Sequence, residues 1–189
     1  MVDQQDGARK LLFVLGSSRA DGNSEILARR AAVSLPQETQ TTWLALRDLT
    51  LRDFADLRHV GDGSAPLPEG DEKLLFEATT AATDVVIVSP LYWYSVSSAV
   101  KRYLDHWAGW MRVPDAGFVE AMAGKTLWSV TVYAGSADRA QPLVDMLQHS
   151  AEFLGMQWGG ALLGNGSAPG DVLHDADALT AAQTFLLPS

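Results

Sequence analysis

Residues 16–27, GSSRADGNSEIL, follow an apolar run and lead into a helical pattern, with two glycines, three serines, one arginine and one asparagine but no lysine. Glycines let backbone N–H groups close on an anion, serine and asparagine side chains add donors, and a helix start adds positive potential. These residue types make a phosphate cradle. Spacing narrows the phosphate: a nucleoside-triphosphate loop needs four residues between its glycines and then Gly-Lys-Ser/Thr, whereas five separate Gly16 from Gly22 and Asn23 stands at the lysine position. A dinucleotide turn needs Gly-x-Gly-x-x-Gly, and Ser18 breaks it. A single guanidinium, Arg19, suits a terminal monoester phosphate through forked hydrogen bonds. For this loop taken alone, a helix simply capped by Ser24 is the plain alternative.

FMN carries such a monoester phosphate beside a planar ring, and a second stretch is suited to a ring. In SPLYWYSVSSAVKRYLDHW, residues 89–107, Pro90 stops strand pairing, and Tyr92, Trp93 and Tyr94 precede a helix whose apolar positions are Val96, Val100, Leu104 and Trp107. The helix face needs the core; three successive aromatics on a loop cannot all be buried there. Such a cluster can flank a planar ligand, or it can be a rigid turn or an interface patch.

Other chemistries find little support. The chain has no cysteine, which removes disulfides, thiolate metal sites and cysteine nucleophiles. His59, His106, His149 and His174 are scattered without a metal-binding pair, so no metal site is expected. GNGSAPG, residues 164–170, lacks the spacing of a serine-hydrolase elbow. A formal charge of −9 disfavours nucleic acid and anionic membrane. No run is long enough to cross a bilayer and no signal pattern opens the chain, so a cytoplasmic protein is expected.

The elements that must position these loops alternate. Strands are predicted at 10–15, 41–46, 84–90, 126–133 and 156–164, and helices at 24–34, 71–83, 97–109, 141–154 and 175–187. Continuous apolar character in the first, third and fourth strands points to a parallel sheet covered on both faces, an open doubly wound α/β fold. A length of 189 residues suits one domain over residues 1–189, with 1–9 expected to be flexible. The connections 48–70 and 110–125 are long.

Together the two loops resemble the NADPH-dependent FMN reductase family, of flavodoxin-like fold, whose phosphate loop Gly-Ser-x-Arg-x-x-Gly-Asn-Ser/Thr is matched by Gly16, Ser17, Arg19, Gly22, Asn23 and Ser24. Its Pro-x-Tyr loop and following helix are matched by Pro90, Tyr92, Lys101 and Asp105, with His106 where relatives often have arginine. The resemblance implies a five-stranded sheet in the order 2-1-3-4-5. It implies that Ser17, Arg19, Gly22, Asn23 and Ser24 hold the FMN phosphate, that Pro90, Leu91, Tyr92, Trp93 and Tyr94 border the ring, and that Gly135 and Ser136 contribute after the fourth strand. The expected activity is hydride transfer from NADPH or NADH to FMN and on to a quinone, flavin or other small acceptor, with no catalytic side chain. A flavodoxin-type electron carrier is the alternative. By position, Arg139 and Arg112 are the candidates for a nucleotide 2′-phosphate. Relatives of this kind are commonly homodimers or homotetramers.

Overall fold

A computed structural model describes residues 8–187. The elements run β1 (Lys10–Leu15), α1 (Asn23–Ala32), β2 (Gln40–Ala45), α2 (Gly70–Ala81), β3 (Asp84–Pro90), α3 (Ser98–Trp110), α4 (Phe118–Met122), β4 (Thr126–Tyr133), α5 (Gln141–Phe153), β5 (Gln157–Asn165) and α6 (Ala176–Phe185). The strands form one five-stranded sheet in the order β2-β1-β3-β4-β5, every neighbouring pair parallel, as expected for a flavodoxin-like fold.

Side-chain alternation explains why the central strands are apolar throughout. Leu12 and Val14 of β1 and Val85 and Ile87 of β3 face a layer with α2, α3, α4 and α5, around Leu75, Tyr103, Phe118 and Leu143. Leu11, Phe13 and Leu15, with Val86 and Val88, face the opposite layer around Leu27 of α1 and Ala178 of α6. With both faces covered, polar alternation has no place. β2, at the edge, is half exposed; there Phe13 stacks on Trp43 at 3.8 Å between ring centroids.

The predicted strands differ from the observed ones by no more than a residue at either end. The connection 110–125 holds α4, whose five residues are too short for a periodic signal. Gly117, at φ +60°, starts it, and Phe118 and Met122 enter the core beside Trp110. Trp110 and Val113 are therefore packing residues. The connection 48–70 is strapped down at its start: Asp71 accepts from Thr50 N (2.7 Å), Arg102 pairs with Asp53 (3.0 Å), and buried His106 bridges the Arg52 carbonyl (2.9 Å) and Glu72 (3.0 Å). Trp110 Nε1 donates to the same Glu72 oxygen at 2.9 Å. His106 is thus a satisfied core histidine.

Of the segment expected to be flexible, residues 1–7 lie outside the described residues; Arg9 is anchored on Asp84, with Nη2 at 2.6 Å. No helix among the described residues is long and apolar enough to cross a membrane.

Candidate functional site

In a doubly wound sheet, ligands gather beyond the carboxyl ends of the strands where connections leave to opposite faces. β1 feeds α1 on one face and β3 feeds α3 on the other, and between them a cleft of about 170 Å³ opens.

Its floor is the loop after β1. Gly16 N donates to the Val88 carbonyl at 2.7 Å, holding the loop's root against β3. A Cβ at Gly16 would overlap the Val100 side chain and lie 2.8 Å from Ser97 Oγ, so glycine is what lets the start of α3 pass beneath the loop. Gly16→Val is expected to cost about 1–3 kcal/mol by overpacking, visible as a lower denaturant midpoint; an unchanged midpoint would refute this account of the close approach.

Ser17 Oγ accepts from Arg19 N at 3.1 Å. Gly22 is the N-cap of α1, in extended conformation and without a side-chain cap, so Ser24 lies inside the helix and does not cap it. The first-turn N–H groups have no intrahelical partner and face an anion-ready opening. Ser24, 2% exposed, accepts from Val132 N at 3.3 Å and keeps its own hydroxyl proton to give. Asn23 is more structural than its type suggested: its amide donates to Ala168 O (2.9 Å) and accepts from Gly170 N (2.8 Å), clipping the loop after β5 to the floor.

Glu25, buried in the first turn of α1, would repel an anion were it free. Arg29 grips one of its oxygens (2.7 and 3.1 Å) and Arg47 reaches the other (3.5 Å). Arg47 also donates to the Arg19 carbonyl at 3.4 Å. Arg19 itself pairs with no acid among the described residues, and no carboxylate lines the cleft.

The second wall is Pro90, Leu91 and Tyr92. Leu91 N donates to Val132 O (3.0 Å), and Ser89 Oγ donates to Pro90 O and accepts from Ser97 N, each at 2.9 Å. Tyr92 and Ser95 exchange both backbone hydrogen bonds (2.9 and 3.0 Å) around Trp93 and Tyr94, whose φ values are +50° and +62°. This is the geometry of a two-residue hairpin turn that usually takes Asn and Gly. It lifts Trp93, 94% exposed, and Tyr94 out of the cleft, so these two do not line it.

At the end of β4 the lining residues are Val132, Tyr133 and then Ala134; Gly135 and Ser136, expected there, lie beyond the lip. Gly135, at φ +95°, turns the chain away, and Ser136 Oγ donates to Asp138. That hydrogen bond is the main reason the Asp138 carboxyl titrates below its ordinary range. The fourth wall, Gly166 and Ser167, was not foreseen. Gly166 N donates to Tyr133 O (2.9 Å), and a Cβ on Gly166 would sit 2.9 Å from Val172 N and 3.1 Å from Asn23 Nδ2. The available signal was the glycine-rich run directly after the fifth strand, at the same end of the sheet as the other loops.

The structure thus brings Ser17, Arg19, Gly22, Asn23, Ser24, Pro90, Leu91 and Tyr92 into one cleft. Among the described residues no three His, Cys, Asp or Glu side chains gather as a metal site.

The chain is 28% identical over 179 residues to YwqN of Bacillus subtilis (strain 168), covering 94% of this chain and 96% of that one; the name of that protein provisionally makes it an NAD(P)H-dependent FMN-containing oxidoreductase. Among solved structures, the Trp repressor binding protein from Bacillus subtilis superposes with a TM-score of 0.74 at 24% identity, over 95% of this chain and 99% of that one. An FMN-dependent NADH-azoreductase from Bacillus anthracis (Ames Ancestor), solved in complex with FMN, gives 0.64 at 15% identity, over 93% and 96%. At such identities the solved structures bear on the fold alone. A family model described as flavodoxin-like fold matches residues 9–185, and with its sheet wound in the order 2-1-3-4-5 the chain belongs to that family.

Proposed function

We propose that the protein is an FMN-dependent NAD(P)H oxidoreductase, taking electrons from NADPH or NADH and passing them to a small-molecule acceptor such as a quinone or a flavin. One observation carries this reading: the cleft joins an uncapped helix start, an Arg19 with no acidic partner among the described residues and two buried serine hydroxyls to the foot of an aromatic turn. The cradle fits a monoester phosphate sterically as well, since a Cβ at Gly22 would come within 2.8 Å of Ser17 Oγ and narrow the floor. The name of the Bacillus subtilis relative agrees with it.

On this reading Arg19, the α1 N–H groups and the hydroxyls of Ser17 and Ser24 hold the phosphate dianion, while Asn23 keeps the 166–170 loop closed over it. Pro90–Tyr92 and Val132–Ala134 flank the ring, with Trp93 and Tyr94 at the rim and Gly135 and Ser136 past the opposite lip. FMN, when bound, supplies the hydride-accepting centre. The chain's part is binding, orientation and exclusion of water, so no side-chain nucleophile is required. We further place the protein in the cytoplasm as a homodimer or homotetramer, without nucleic-acid or membrane partners, in keeping with its charge of −9 and the resemblance.

The test is anaerobic. Protein loaded with FMN and freed of unbound flavin should lose its oxidised-flavin absorbance on addition of NADPH or NADH. Flavin retained but reduced by neither donor would leave an electron carrier, and failure to retain flavin would remove the prosthetic-group assignment.

A further inference from the structure

We propose that Arg139 binds the 2′-phosphate of the nucleotide donor and so selects NADPH over NADH; this rests on the oxidoreductase reading above. The argument begins with charge. In a chain of net −9, Arg9, Arg29, Arg47, Arg58 and Arg102 are each committed to an acid. Arg112 lies beyond α3 against the loop at Gly63, and its carbonyl accepts from Ala65 N at 3.1 Å, which removes it from the cleft. Arg30 and Arg52 also have no acidic partner among the described residues, but they lie on α1 and in the 48–70 connection; Arg19 and Arg139 are the ones on loops that line or leave the cleft.

Position separates their tasks. Arg19 stands after β1 and Arg139 after β4, with β3 between, so the roots of the two loops are about 10 Å apart at the usual strand spacing. One guanidinium cannot serve both ends, and a flavin phosphate held at Arg19 leaves Arg139 for a second anion.

The loop carrying Arg139 is built to hold it. Ala134 is the last lining residue, and at Gly135 the guanidinium folds over the bare Cα: a Cβ there would lie 3.4 Å from Nη1 and 3.7 Å from Cζ. Asn165 Nδ2 donates to Gly135 O at 3.2 Å, tying the loop to β5, and Arg139 N donates to Ser136 O at 3.3 Å. The neighbouring carboxylate, Asp138, takes its side-chain hydrogen bond from Ser136 Oγ; Arg139 acts on it through its charge at a distance, without a salt bridge between the two. The result is an exposed guanidinium with no salt bridge among the described residues, five residues past Ala134 on the loop after β4, which faces the Arg19 loop across β3. Arginine matches a phosphate dianion bidentately, whereas the hydroxyl that NADH carries at that place offers no charge to meet it.

The experiment is a calorimetric titration of the purified protein, at whatever flavin content it carries, with adenosine 2′,5′-bisphosphate and with AMP, for the parent, R139Q and R139K. The parent should bind the bisphosphate roughly tenfold or more tightly than AMP, as a charge-assisted pair implies. R139Q should erase that preference, R139K should recover part of it, and bound flavin should stay constant across the three. In the FMN-loaded enzyme the ratio of kcat/KM for NADPH over NADH should fall with R139Q by a similar factor. Equal affinities in the parent, a preference surviving R139Q, or loss of flavin from R139Q would each overturn the assignment. Failure of both donors to reduce bound flavin would instead count against the oxidoreductase reading, since the bisphosphate titration reads the Arg139 site without turnover.

Discussion

Arg19→Ala is expected to weaken FMN binding roughly ten- to a hundredfold, the equivalent of about 1.5–3 kcal/mol for a hydrogen-bonded charged pair. The size follows from what surrounds it. Glu25, the buried acid in the first turn of α1, is taken by Arg29 and Arg47, and among the described residues no carboxylate lines the cleft. The guanidinium is therefore held free for the ligand, and its loss is not covered by a neighbour. The helix start and the two serines remain, which is why binding should weaken without vanishing. Titrating apoprotein with FMN and, in parallel, with riboflavin isolates the cause, because riboflavin lacks the phosphate. The variant should lose affinity for FMN and keep that for riboflavin. An equal loss for both would mean that Arg19 supports the ring or the loop, and unchanged FMN affinity would remove Arg19 from the site. Raising the salt concentration should narrow the gap between parent and variant, since an exposed charge is screened.

Much of this site was legible because the chemistry sits directly after strands, where residue type and position reinforce each other. Gly16 to Ser24 combine donor-rich composition with the exit of β1, and Pro90 to Tyr92 combine a strand stop with aromatics. What escaped depends on distances between segments far apart in the chain. Nothing local marks Asn23 as a clip, because its partners, Ala168 and Gly170, are about 145 residues away. Trp93 and Tyr94 were expected at the ring with Tyr92, yet two successive positive φ values turn them outward, and aromatic residues do not advertise a conformation usually left to Asn and Gly. Gly166 and Ser167 sit in a run that, judged for nucleophile spacing alone, looked empty. α4 is a single turn and more, shorter than the window that reveals helical period, and it is held by Phe118 and Met122 in the core. The fold was easier, since five apolar runs separated by helical periodicity leave few ways to cover a parallel sheet.

Asp84→Ala is expected to cost about 3–5 kcal/mol of stability while leaving ligand binding intact in the folded protein. Asp84, 4% exposed, opens β3 at the amino end of the sheet, opposite the cleft. Its two oxygens receive Arg9 Nε (3.0 Å) and Nη2 (2.6 Å), Thr83 Oγ1 (2.7 Å) and Trp128 Nε1 (2.8 Å). Removing the carboxylate strands a partly buried guanidinium and a buried indole N–H together, and an unpaired buried charge costs more than the pair contributes. The damage should spread along a definite path. Arg9 also donates to the Leu186 carbonyl, and Trp128 packs edge-on against Phe185 with centroids 5.1 Å apart, so the carboxylate secures the end of α6 against β4. Asp84→Asn, which keeps one acceptor, should lose less. Against a total of about 5–15 kcal/mol for a domain of ordinary stability, the alanine variant should show a large drop in denaturant midpoint with an unchanged slope. Hydrogen exchange should quicken first in α6, and FMN affinity below the transition should match the parent. A midpoint shift worth less than about 1 kcal/mol would show the cluster to be no stronger than a surface ion pair. Lost FMN affinity in the folded variant would instead mean that this end of β3 is coupled to the cleft through the strand itself.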